Sequence, residues 1–167
     1  SSTEPDAIDR AVLEAIERHR VALASDDLRT ARDELLVALA TAGERGGDAW
    51  KASTHGAVAE LSADLDEYEL AVQHAREAAS WSDLTDQPGF ARVRLGALLL
   101  TTDRYDEASA VLQHALLDLA DMEEQPEEAL VRVHRWLGEC ERQAGDPLAA
   151  ARHWASAAQI AQGWEAQ

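Results

Sequence analysis

Arg132, Arg135, Glu139 and Arg142 follow one another at spacings of three, four and three residues. On an α-helix those spacings put all four side chains on one stripe, with Trp136 beside them. Arginine donates paired hydrogen bonds from a planar fork, so such a stripe can receive carboxylates. The same residues also read as a solvated face on which Glu139 pairs with Arg135 and Arg142. The other chemistry-bearing side chains point to less. Of the six histidines (His19, His55, His74, His114, His134 and His153), no two stand three or four apart, the spacing of a helical metal pair, so no metal site is expected. Cys140 is the single cysteine, and Glu139 and Glu141 flank it. Flanking carboxylates raise a thiol pKa, so Cys140 reads as a small buried apolar residue and not as a nucleophile. The clusters Asp64-Asp66-Glu67-Glu69 and Glu123-Glu124-Glu127-Glu128 lack the glycine-centred loop of a calcium site and read as helix N-termini and solvated turns. With no phosphate-binding glycine loop and no nucleophile elbow, the expectation is a binding protein without a cofactor, and not an enzyme.

Composition narrows the partners. A formal charge of −17 opposes nonspecific attraction to nucleic acid or to an anionic membrane, which both require a positive field. No run approaches the roughly 20 apolar residues of a membrane span. The opening Ser1-Ser2-Thr3-Glu4-Pro5-Asp6 has neither the basic nor the apolar part of a signal peptide and reads as the cut edge of a longer chain. The lone cysteine excludes an internal disulfide and fits a reducing cytoplasm. At 46% apolar and only 5% aromatic, the chain is rich in alanine, which lets helices approach closely.

Such side chains need elements to hold them, and every segment reads as helix. Leu95, Leu98 and Leu99 lie at helical spacing, as do Val111, Leu112, Ala115 and Leu119. Eight helices are expected, at about 6–23, 28–43, 48–63, 66–81, 88–101, 104–122, 127–144 and 147–163. Asp26-Asp27, Gly46-Gly47-Asp48, the stretch from Ser82 to Pro88, and Gly145-Asp146-Pro147 mark breaks between them, with Asp48 and Asp103 as N-caps.

The helices recur in pairs. Ala31, Ala71, Ala108 and Ala150 are each followed seven residues later by Ala38, Ala78, Ala115 and Ala157. The intervals between units are 40, 37 and 42 residues. Periods of this size built from two helices indicate a stacked solenoid. The residues also resemble the tetratricopeptide repeat family. The fourth unit carries Leu137-Gly138, Gly145-Asp146, Ala150, Trp154 and Ala157. The third has Leu95-Gly96, Tyr105, Ala108, Leu112 and Ala115. The second keeps Tyr68, Ala71, Ala75 and Ala78, with Ala59 at the glycine position. The first keeps Ala31, Leu35 and Ala38, with His19 at that position. The units exceed the family's usual 34 residues and look like those in large bacterial, especially actinobacterial, transcriptional regulators and signalling ATPases.

The resemblance implies an all-α, right-handed α-α superhelix of about eight helices in four hairpins. It would be a single domain over 1–167, with repeats near 6–43, 48–82, 88–122 and 127–163. It also implies a concave groove lined by the first helix of each hairpin, where Phe90, Arg94, Arg132, Arg135, Trp136 and Arg142 would face a partner. Earlier groove positions would hold Arg20, Ser53, Glu60 and Asp64. The family's carboxylate clamp uses lysines and asparagines where this chain has arginine and glutamate, so a chaperone-tail clamp is not implied. The expected function is recognition of a protein or peptide segment, acidic or carboxylate-bearing, within a bacterial regulatory or signalling protein. The alternatives are a sensor of a small peptide or metabolite, and a homo-oligomerisation module. The last would use an apolar C-terminal end formed by Trp154, Ile160 and Trp164.

Overall fold

A computed structural model describes residues 6–86 and 88–165, apart from the side chains of residues 164 and 165. Eight α-helices occupy them: α1 (Ala7–Ala24), α2 (Leu28–Ala42), α3 (Asp48–Asp64), α4 (Tyr68–Ser82), α5 (Gly89–Thr101), α6 (Tyr105–Ala120), α7 (Glu127–Gln143) and α8 (Pro147–Glu165). The described residues contain no strand. They form two compact units, α1–α4 ending at Thr85 and α5–α8 beginning at Asp86. In the first, α1 pairs with α2, α3 with α4, and α2 packs on α3; in the second, α5 pairs with α6, α7 with α8, and α6 packs on α7.

One turn closes all four hairpins. The amides of Asp27, Glu67, Arg104 and Asp146 donate to carbonyls five residues back, those of Ala22, Ser62, Leu99 and Glu141, at 2.9, 2.8, 2.8 and 2.9 Å. This is the six-to-one bond of a Schellman cap, and it needs a left-handed residue just before the donating amide. Asp26 (φ 57°), Asp66 (φ 60°), Asp103 (φ 58°) and Gly145 (φ 83°) fill that place. Aspartate is one of the few L-residues that tolerates it. Two expected caps are therefore corrected. Asp103 lies in the left-handed turn and Arg104 is the N-cap of α6, while Gly47 is the N-cap of α3 and Asp48 its first helical residue. Asp27 and Asp146 do cap their helices, accepting from the amides of Thr30 and Ala149 at 3.1 and 3.0 Å.

Turn and core share one register. Nine residues after each Schellman acceptor comes Ala31, Ala71, Ala108 or Ala150, and these, with Ala38, Ala78, Ala115 and Ala157, are all buried. Small residues at these places let the paired helices close on larger side chains such as Leu35, Leu95, Leu99, Leu112 and Leu119, which fill the interior. The tightest crossings are at Gly96 and Gly138. A Cβ built on Gly96 would lie 2.4 Å from Leu112 Cδ2, and one on Gly138 would overlap the five-membered ring of the Trp154 indole. His19, at the equivalent point of α1, is half-buried and places its Nδ1 2.7 Å from the Ala31 carbonyl oxygen. In the first unit, buried Arg32 pairs with Glu67 at the head of α4 and with Asp33 at 2.9 Å, tying the two hairpins together.

Candidate functional site

The arginine stripe lies on α7, whose opposite side buries Leu130, Val131, Val133, Leu137, Gly138 and Cys140. Apolar residues at helical spacing pin that side to α8 and α6, leaving the charged residues outward. Two of the three guanidiniums there are neutralised within the helix. Arg132 Nη2 lies 2.5 Å from Glu128 Oε1, an i,i+4 pair with both side chains exposed. Arg142 grips Glu139 with two bonds, Nε to Oε2 at 2.9 Å and Nη2 to Oε1 at 2.5 Å, and Gln143 adds a third at 3.2 Å. The Arg142 bonds, and then that of Gln143, hold the Glu139 carboxyl down at about 2. Arg135 is different. It is exposed, and its guanidinium has no hydrogen bond or ion pair among the described residues. The expected pairing of Glu139 with both Arg135 and Arg142 therefore holds for Arg142 alone.

Beside the stripe, α5, α6 and α7 enclose an open pocket of about 380 Å³ lined by Ala97, Leu100, Thr101, Tyr105, Trp136 and Glu139. Its lining is mainly apolar, with Thr101, Tyr105 and Glu139 as the polar residues. The Tyr105 hydroxyl donates to the Asp103 carboxylate at 3.0 Å, and that bond raises the phenol's pKa and keeps it protonated. Trp136 and Glu139 are thus shared between stripe and pocket. Arg135 belongs to the same turn of α7, and its backbone carbonyl accepts from Trp154 Nε1 at 3.3 Å, which fixes α8 against this part of α7. Phe90, 43% exposed, stands at the start of α5, with half-buried Arg94 one turn on.

Cys140 is buried, and desolvation, then Glu141 and Glu139, push its thiol up to about 11. That is far from the low pKa of a nucleophile. Among the described residues no three metal-ligating side chains come together. Linear spacing did miss two contacts, however: His55 meets His74, and His134 meets His153, each across a hairpin. On α8, Trp154 is 41% exposed and Ile160 half-buried, while the Trp164 side chain lies outside the described residues. No helix among the described residues is long and apolar enough to cross a membrane.

No protein-family model matches the chain, and no curated protein matches its sequence. Solved structures do match its fold. BtubC (BKLC) from P. vanneervenii is 19% identical with a TM-score of 0.81, over 100% of this chain and 69% of that one. MamA is 12% identical with a TM-score of 0.73, over 93% and 81%. YrrB, described as a TPR protein with an unusual peptide-binding site, is 16% identical with a TM-score of 0.68, over 93% and 70%. The fold is the all-α tetratricopeptide-type helical repeat.

Proposed function

We propose that this chain is a protein-interaction module that captures a carboxylate-bearing protein or peptide segment on α7 of its second unit. The observation that carries this reading is Arg135, whose guanidinium is exposed and unengaged one residue before the pocket-lining Trp136. A carboxylate would take the free guanidinium, and a neighbouring apolar side chain would enter the pocket. Charge-assisted bonding and a buried anchor together give both orientation and affinity. Phe90, Arg94, Arg132 and Arg142 supply the surroundings. Arg132 and Arg142 contribute less to attraction, because Glu128 and Glu139 already occupy them. The peptide-binding site named for YrrB supports the general role. A setting in a bacterial, cytoplasmic regulatory or signalling protein is part of this reading, as is the absence of catalysis.

The test compares affinity capture from native lysate by the wild type, Arg135→Glu and Arg132→Glu, followed by titration of the captured partner. Breaking a desolvated arginine–carboxylate contact at an interface costs about 2–5 kcal/mol. Arg135→Glu should lose the partner with its melting curve unchanged, and Arg132→Glu should lose much less. Normal binding by Arg135→Glu would refute the site. The pocket also favours a second reading, a sensor of a small peptide or metabolite, since its volume is within the range of small-molecule sites. In that case Trp136→Ala abolishes binding of a small ligand and Arg135→Glu does not.

A further inference from the structure

Each unit holds one pair of histidines in direct contact. Between α3 and α4, Nδ1 of His55 lies 2.9 Å from Nδ1 of His74, with the rings 24° from parallel and their centroids 5.2 Å apart. Between α7 and α8, the same atoms of His134 and His153 are 3.2 Å apart, with the rings at 39° and their centroids at 5.4 Å. Both pairs have the same place in the repeat. His55 and His134 stand four residues before the crossing residues Ala59 and Gly138, and His74 and His153 stand three after Ala71 and Ala150. The equivalent places hold Ala15 and Glu34 in α1–α2, and Arg92 and Val111 in α5–α6. Only the second and fourth hairpins carry the contact.

Two Nδ1 atoms at hydrogen-bond distance hold one proton between them, with one ring donating and the other accepting. That bond survives the first added proton, because a cationic ring can still donate to a neutral one. A second proton sets two N–H donors and two positive charges face to face. The site offers little relief, since His74 is only 9% exposed and its three companions are half-buried. Around the first pair, Lys51 on α3 and Arg32 on α2 oppose protonation, whereas Glu77 on α4 favours it. Around His134, burial acts first and His153 second.

We propose that the two pairs are proton-operated latches: a second proton on either pair parts α3 from α4, or α7 from α8, while the α1–α2 and α5–α6 hairpins stay closed. Burial lowers the proton affinity of His55, His74 and His134 in the closed hairpins, so the open form binds more protons. The sign follows from linkage. Closure is fully favoured above the free-ring value of about 6.5 and weakens as the pH falls through it. Opening the second latch would also part the Trp154 indole from the Arg135 carbonyl.

Amide hydrogen exchange of the full chain at pH 7.5 and pH 5.0, corrected for intrinsic rates, tests the proposal. Between the free-ring value and the lowered value of the closed rings, each extra proton linked to opening raises the open population about tenfold per pH unit. Protection should therefore fall in α3–α4 and α7–α8 well beyond any change in α1–α2 and α5–α6. The double variant His74→Gln, His153→Gln removes one ring from each pair and should flatten that response. An equal loss of protection in all four hairpins, or an unchanged response in the variant, would overturn the latches. An NMR titration of the wild-type imidazoles covers the case in which the variant does not fold. Two separated steps per pair support the proposal, and rings that titrate together at the ordinary histidine value refute it.

Discussion

Adding one methyl group at Gly96 tests whether the third hairpin is built by matching a small residue on its first helix to the size of its neighbour on the second. A Cβ at Gly96 would lie 2.4 Å from Leu112 Cδ2, 2.6 Å from Cγ and 3.4 Å from Cδ1. Carbon atoms normally rest about 3.5–4.0 Å apart. Leu112 has no exposed surface, so it cannot swing into solvent. Overpacking costs about 1–3 kcal/mol, and the clash at Cγ, a branch point, puts Gly96→Ala at the upper end. Replacing a mid-helix glycine returns about 1 kcal/mol of helix propensity, leaving a net loss of roughly 1–2 kcal/mol. Leu112→Ala alone empties a fully buried site and should cost about 2–5 kcal/mol. In the double variant the new methyl enters the vacated space, so the losses should fall short of their sum by roughly 1–3 kcal/mol, within the range of contacting pairs. The second hairpin already shows that solution, with Ala59 and Ala75 at the equivalent places and both fully buried. Urea unfolding followed by far-ultraviolet circular dichroism measures all four corners of the cycle. Additivity within about 0.5 kcal/mol would refute the matching rule.

Ala108→Leu and Ala150→Leu should each destabilise the fold by about 1–3 kcal/mol, because the interior leaves no room for the added carbons, whereas Ala110→Leu on the exposed side of α6 should stay within about 0.5 kcal/mol; equal tolerance in thermal melts would show that the alanine register is wrong. With its thiol at about 11 and its side chain buried, Cys140 should resist labelling by a thiol reagent at pH 8 and react promptly in urea. Rapid native labelling would contradict its burial on α7.

The repeat was legible because alanine at a helix crossing is a local demand that each unit must meet again. The turn register and the burial of Ala31, Ala71, Ala108 and Ala150 follow from the same requirement. Asp103 was misplaced for a related reason. Aspartate serves both as an N-cap and as a left-handed residue, and composition alone does not separate the two roles. The ion-pair pattern on α7 was only half legible. Spacing put Arg135 and Arg142 equally within reach of Glu139, but the rotamers bring only Arg142 to it. The histidine contacts were hidden entirely, because a nineteen-residue separation has no meaning until the hairpin closes. Their one sequence signal was register: both pairs recur at fixed offsets from the repeat alanines.

Electrostatics narrows the partner further than the site does. A chain carrying −17 repels acidic bodies at long range and draws basic ones, over distances set by a Debye length of about 8 Å at physiological salt. Arg135 acts only inside that distance, and Glu128 and Glu139 on the same helix already quench its neighbours. A single free guanidinium in such a field suits a single carboxylate, such as a chain terminus or one side chain, on a segment otherwise neutral or basic. A strongly acidic segment would have to approach against the whole field to gain one contact. The two cases differ in their association rates. For the first, added salt should slow association, because it screens a long-range attraction; for the second, added salt should speed it, because it screens a repulsion. Stopped-flow association of the captured partner at two salt concentrations separates them. Acceleration by salt would show that the partner is acidic as a whole and that one guanidinium is too little to explain its binding.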